Sequence, residues 1–246
     1  MDRLILWDID GTLVHSAGAG AAVFLSAIER CLGVSAEGHG VRMSGKTDPQ
    51  IAREILGAVA ATTSLRGPAL DDAVARVLDG IESDLAASAD RIRRDGSVLP
   101  GVTDLLAILH DDPAVLQSLL TGNVVANAKV KLGAFDLAGY FDWDVGAFGS
   151  DHHDRLELVP MAMAKAAARH GRTFAPNEVW IIGDTPRDLA CARAGGAHCL
   201  LVATAGFRTA ELEEAVADGA SRTAPRREVV MLDLSDTASV LALLQS

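Results

Sequence analysis

The sequence predicts an α/β fold, a doubly wound parallel sheet carrying an all-helical insertion, on three observations. Short apolar runs end abruptly in polar residues, as in Leu4 to Trp7 before Asp8, and Val179 to Ile182 before Gly183 and Asp184. Helical periodicity fills the intervals between most of these runs. From Val23 to Leu85 the signals are helical alone, which sets an inserted unit between the first strand and the rest.

The first run carries the most chemistry. Leu4, Ile5, Leu6 and Trp7 suit a strand covered on both faces, and Gly11 with Thr12 forces a turn. Asp8 and Asp10 then project into the crevice at the strand's carboxyl end, where open parallel sheets bind ligands. Two like charges held so close repel, and a divalent cation relieves them; a hard, oxygen-seeking ion such as Mg²⁺ meets that need. An ordinary surface turn does not follow four large apolar residues directly. A calcium loop would need further oxygen ligands and a Glu at its twelfth position.

Next come amphipathic spacings: Val23, Phe24, Ala27, Ile28, Cys31 and Leu32; then Ile51, Ile55 and Val59; then Leu70 through Leu85. Gly18 to Ala21 reads as a hinge leading into the first of these helices. Asp48-Pro49 reads as an N-cap followed by a first-turn proline, which leaves Gly45 and Lys46 on a loop tip. From Pro100 the βα pattern resumes, with a helix near Val102 to Leu109 and strands ending at Thr121, near Val145, at Ile182 and at Val202. The stretch Asp218 to Arg227 reads as a surface loop before a last strand, Glu228 to Leu232, and a closing helix, Ser235 to Leu244.

Composition bounds the function. The 246 residues suffice for one principal domain with an insertion, and a net charge of −11 with pI near 5.0 argues against nucleic acid as a partner. No apolar run approaches the ~20 residues needed to span a bilayer, and Met1-Asp2-Arg3 lacks the apolar stretch of a secretory signal, so no membrane role and a cytoplasmic location are expected. Cys31, Cys191 and Cys199 form no CxxC pair and read as reduced, buried apolar residues. His152 and His153 stand next to no Cys or third His at ligand spacing and read as polar loop residues.

With these residues in view, the chain resembles the haloacid dehalogenase superfamily over nearly its whole length. The family's first motif, Asp-x-Asp-Gly-Thr-Leu, is met by Asp8, Asp10, Gly11, Thr12 and Leu13. Its second, a hydroxyl residue ending a buried strand, is met by Thr121 within Leu119-Leu120-Thr121-Gly122-Asn123, and its fourth by Gly183-Asp184 with Asp188 four positions on. The third departs: where most members carry Lys followed by Pro, this chain reads Asp151 through Pro160, with Arg155 the expected cation and Lys165 the competitor. Guanidinium suits carboxylate and phosphate together, whereas Lys165 lies in an alanine-rich helical pattern typical of a solvated face.

The resemblance implies a Rossmann-like core, 1–13 and 95–246, with a mobile helical cap at 14–94. It further implies a magnesium-dependent phosphatase of the phosphoglycolate phosphatase-like branch, acting on a small phosphorylated metabolite. In this reading Asp8 is the nucleophile, Asp10 the acid and base, and Mg²⁺ is held by Asp8, the Asp10 carbonyl and Asp184, with Asp188 close by. Thr121, Gly122 and Asn123 donate to the phosphate, Arg155 binds phosphate and Asp8, and Gly11 and the cap residue Lys46 contact substrate. Asp10 favours a phosphatase over members that cleave carbon–halogen bonds, which lack an acid there. A mutase resembling β-phosphoglucomutase would use the same constellation, and a silent binding protein would have no need of it. Oligomeric state and the identity of the substrate stay open at this level.

Overall fold

The computed structural model describes residues 2–219 and 226–245. Its main sheet has six strands, all parallel: β1 (Arg3–Trp7), β4 (Val115–Thr121), β5 (Ala147–Phe148), β6 (Val179–Gly183), β7 (His198–Val202) and β8 (Glu228–Met231), in the order β5-β4-β1-β6-β7-β8. β1 is central, and the chain builds outward from it first on one side and then on the other. A crevice therefore opens at β1's carboxyl end, the topological switch point.

Alternation along the strands explains the two cores. Ile5 and Trp7 join one buried cluster with Trp180, Ile182, Leu200 and Val202, while Leu4 and Leu6 join the opposite one with Val179, Ile181, Cys199 and Leu201. Both faces are covered, the first by α5 (Val102–His110), α6 (Val125–Gly133) and α10 (Thr237–Gln245), the second by α7 (Leu158–His170), α8 (Pro186–Gly195) and α9 (Thr209–Ala217). Each large apolar side chain so buried contributes about 1.5–3 kcal/mol relative to exposure.

Between β1 and β4 lie α1 (Ala19–Leu32), α2 (Asp48–Ala58), α3 (Gly67–Ala87) and α4 (Ala89–Asp95), with a third core built from Phe24, Ile28, Ile55, Val77, Ile81 and Ile92 among others. A short antiparallel ladder of β2 (Val14–His15) and β3 (Ser97–Val98) joins the outgoing and returning chain, a feature too short to show as a sequence pattern. Gly18, at φ 71°, precedes α1 directly.

Several expectations shift. The strand placed near Val145 is Ala147–Phe148, and the last strand stops at Met231. Residues 220–225 of the proposed surface loop lie outside the described residues. Thr47, not Asp48, is the N-cap of α2, its hydroxyl accepting from the Gln50 N–H at 3.2 Å. Asp48 is buried instead, and its carboxylate is taken by another helix: Oδ2 accepts from the Val124 N–H at 2.9 Å and from Asn127 Nδ2 at 3.0 Å. The three cysteines are free thiols, Cys191 and Cys199 buried as expected but Cys31 only half-buried, and no described helix is long and apolar enough to cross a membrane.

Candidate active site

The turn after β1 sets the site. Gly11 adopts φ 83°, and a Cβ there would collide with the Asp184 carboxylate, so both backbone conformation and close approach require glycine. A cavity of about 300 Å³ lies over this turn, lined at the sheet end by Asp8, Asp10, Thr121, Asn123, Arg155 and Asp184. All the expected site residues but Asp188 line it, Gly11, Gly122 and Lys46 included. Asp188 lies just beneath, fully buried.

Arg155 begins a single turn of 3-10 helix, Arg155–Glu157, capped by Asp154, and is only 4% exposed. Its Nη2 lies 3.2 Å from Asp8 Oδ1 and 2.5 Å from Asp188 Oδ1, and Nη1 donates to the Gly45 carbonyl at 3.1 Å. The two carboxylates more than offset the cost of burying this guanidinium and hold it charged. Lys165 is elsewhere, donating to Asp151 Oδ2 and the Gly146 carbonyl, both at 2.7 Å. The cation beside Asp8 is thus Arg155.

Asp188 has both oxygens engaged. Oδ1 takes Arg155, while Oδ2 accepts from the Thr185 N–H at 3.0 Å and its hydroxyl at 2.7 Å, a capping box that starts α8. Asp184 is the opposite case: its Oδ1 is buried without a partner. Oxygens of Asp8, Asp184 and Asp188 lie within 4.8 Å of one another. Three hard carboxylates, one with an orphaned oxygen, fit a small divalent cation such as Mg²⁺. Burial raises Asp8 from 3.8 to about 6, against the lowering pull of Arg155 and with Asp188 and Asp10 adding to the rise. Burial, then the neighbouring carboxylates Asp188 and Asp8, raise Asp184 to about 9. A cation held here would favour the ionised carboxylates and so oppose both shifts.

Asp10 stands apart from that cluster. Its Oδ1 accepts from the Ser16 hydroxyl at 2.9 Å, and Oδ2 accepts from Asn123 Nδ2 at 2.9 Å and Lys131 Nζ at 2.5 Å. Desolvation pushes its pKa up, but the Lys131 ammonium, with the three hydrogen bonds, outweighs that and leaves it lowered. Asn123 links the group to the strand end: Nδ2 also donates to Thr121 Oγ1 at 2.8 Å, and Oδ1 accepts from Lys131 at 2.7 Å.

Lys131 is the residue sequence reasoning missed. A lysine in a helical pattern reads as a solvated face, yet Lys131 is buried on the stripe of α6 that holds Asn127, Ala128 and Leu132. That position, three residues after Ala128 and four after Asn127 on the inward face, was the available signal. Lys46 does reach the cavity, but its ammonium is joined to Glu54 on α2.

The comparisons agree with this geometry. The family model described as haloacid dehalogenase-like hydrolase matches residues 5–193, and a related one, described as HAD-hydrolase-like, matches 158–231. "Probable phosphatase IndB" of Dickeya dadantii (strain 3937) is 28% identical over 214 residues, 86% of this chain and 85% of that protein. A predicted phosphoglycolate phosphatase from Haemophilus somnus 129pt superposes with TM-score 0.64 at 14% identity, covering 97% of each chain. The structure named "Putative beta-phosphoglucomutase from Bacteroides vulgatus" gives TM-score 0.65 at 15% identity, over 99% of this chain and 88% of that one. At such identities the structures speak for the fold. The match of motif order, strand-end carboxylates and family model makes this chain a member of the haloacid dehalogenase-like hydrolases.

Proposed function

We propose that this hydrolase is a phosphatase, cleaving a small phosphate monoester through an aspartyl-phosphate on Asp8. The observation that carries the reading is the Asp8 carboxylate, set in the cavity at β1's carboxyl end with Arg155 3.2 Å away and Asp10 held two residues on. The mutually oriented nucleophile, cation and acid–base group are what in-line phosphoryl transfer needs.

In this reading an Asp8 oxygen bonds to phosphorus as the ester P–O bond breaks, and the departing alkoxide takes a proton from Asp10. Water then gives its proton to Asp10 as its oxygen attacks phosphorus and releases Asp8. Lys131, Asn123 and Ser16 hold Asp10 ionised in the free protein, which suits the second half. Binding a phosphate dianion adds negative charge beside Asp10 and raises its proton affinity, which prepares the first half. Arg155 balances Asp8 and the incoming oxygens; Thr121 and the Gly122 and Asn123 backbone orient them. Mg²⁺, held by Asp8, Asp184 and the Asp10 carbonyl, would screen the nucleophile's charge from that of the phosphate. Asp188 then serves to fix Arg155 and the start of α8.

Residues 14–94 act as the cap, with the Gly45-Lys46 tip at the cavity. The branch resembling phosphoglycolate phosphatase supplies the starting substrate class, and three free thiols suit a cytoplasmic setting. The test is phosphate release from a panel of phosphorylated metabolites, with and without Mg²⁺. Magnesium-dependent release supports the reading. Interconversion of sugar phosphates without release would make the enzyme a mutase, and inertness toward every ester would reject catalysis of this kind.

A further inference from the structure

The cavity's two ends differ in character. The sheet end is crowded with carboxylates and their partners, as described. The end toward the helical unit presents Val14, Ala21, Phe24 and Met43, with His15 and Ser44 beside them and Lys46 the lysine that reaches it. Phe24 and Met43 belong to the helical core or pack on it, so this wall is fixed by the same side chains that hold α1 and α3 together.

Every lysine and arginine lining this cavity among the described residues is already matched. Arg155 faces Asp8 and Asp188, Lys131 faces Asp10 at 2.5 Å, and Lys46 faces Glu54. Glu54 is itself steadied by Gln50, whose Nε2 donates to Oε1 at 2.8 Å from one turn earlier on α2. The Lys46 side chain is 11% exposed and that of Glu54 37%, so the ammonium is the shielded member of the pair. A leaving group bearing its own anion would lose water here and meet a cation whose charge is spoken for, which is costly. An uncharged group loses little water, gains by covering the apolar wall, and finds in the Lys46–Glu54 pair a donor and an acceptor for a single hydroxyl.

We propose that the substrate is the phosphate monoester of a small uncharged alcohol that turns an apolar face toward Phe24 and Met43, and not an ester whose leaving group carries a carboxylate or a second phosphate. The proposal rests on the phosphatase reading above and narrows it. It departs from a glycolate leaving group, because each lysine and arginine lining the cavity already faces a carboxylate of this chain.

The full chain is assayed with Mg²⁺ for phosphate release from benzyl phosphate, n-propyl phosphate and 2-phosphoglycolate. The expected result is kcat/KM for benzyl phosphate at least about tenfold above that for 2-phosphoglycolate, with n-propyl phosphate between them. Glu54→Gln then strips Lys46 of its carboxylate. It should shift the ratio toward 2-phosphoglycolate by roughly tenfold, the size of one freed charge contact. A wild-type preference for 2-phosphoglycolate, or a ratio that Glu54→Gln leaves in place, overturns the proposal. Failure to release phosphate from any ester would count against the phosphatase reading itself, and the narrower claim falls with it.

Discussion

Lys131 shows how one buried charge can decide what a neighbouring acid does. Its ammonium is 2.5 Å from Asp10 and 2.7 Å from Asn123, so removing it releases both the charge and the orientation of Asp10. Lys131→Met, similar in length and suited to a buried position, should lower kcat by about ten- to a hundredfold and move the acidic limb of the kcat–pH profile to higher pH. A profile that keeps its shape would mean that Asp10's charge state does not govern the rate. Arg155 gives the complementary test. Arg155→Lys keeps a cation but loses the fork that reaches Asp8, Asp188 and the Gly45 carbonyl together, and should cost about ten- to a hundredfold in kcat/KM. Lys165→Met, altering contacts with Asp151, Gly146 and the Phe148 ring away from the cavity, should stay within about threefold in steady-state kinetics. At this scale the carboxylates were legible because four large apolar residues running straight into Asp8 and Asp10 do not make a solvated turn. Lys131 was not, because its role depends on which way α6 faces, and a single lysine in a helix does not declare that.

The decisive element is the loop entering α2. Thr47 caps the helix, which frees the next residue, Asp48, to serve another: its carboxylate accepts from the Val124 N–H at the start of α6, directly after Thr121 to Asn123, and from the Asn127 side-chain amide. The Asp48 N–H meanwhile donates to the Gly122 carbonyl at 2.7 Å, and a Cβ on Gly122 would strike the Lys46 carbonyl. The helical unit is thereby stitched to the segment expected to bind phosphate. Asp48→Ala leaves two buried donors without a partner and should destabilise the fold by about 2–3 kcal/mol in urea titration, with a matching fall in kcat/KM. A loss below about 0.5 kcal/mol would mean that this contact is dispensable. Sequence spacing found the loop and the first-turn Pro49, because a proline tolerated at a helix start is a local signal. It assigned the cap one residue late, because a buried aspartate serving a distant helix looks locally like an N-cap. The β2–β3 ladder escaped for a related reason: two residues on each side carry no periodicity.

At the scale of the whole molecule, the acidic cluster links stability to pH and to metal. Asp8 and Asp184 have folded pKa values of about 6 and about 9, above the ordinary 3.8, so folding favours their protonated forms. Their contribution is complete below about pH 4 and is lost as pH rises through those values. Chelator-treated protein should therefore show a lower Tm at pH 9 than at pH 7, and Asp184→Asn should flatten that dependence. Under the proposed function Mg²⁺ would bind the ionised carboxylates, so its stabilising effect should grow over the same range. A Tm that holds level between pH 7 and pH 9 without metal would contradict the crowding of these carboxylates. The parallel sheet and helical insertion were legible because they rest on many residues at once: burial of Leu4 and Leu6 on one face with Ile5 and Trp7 on the other needs only a continuous apolar run.

Whether Asp8 carries the phosphoryl group, as proposed, is read by acid-quenched peptide mass analysis of the Asp10→Asn variant after exposure to a substrate ester with Mg²⁺. Without Asp10 to deprotonate water, the second step should slow more than the first, and one phosphoryl group should be found on the peptide that contains Asp8. The added mass should vanish when Asp8→Asn is introduced as well, and Asp8→Asn alone should abolish turnover. Full activity in Asp8→Asn, or a phosphoryl group on any other residue, would contradict the claim.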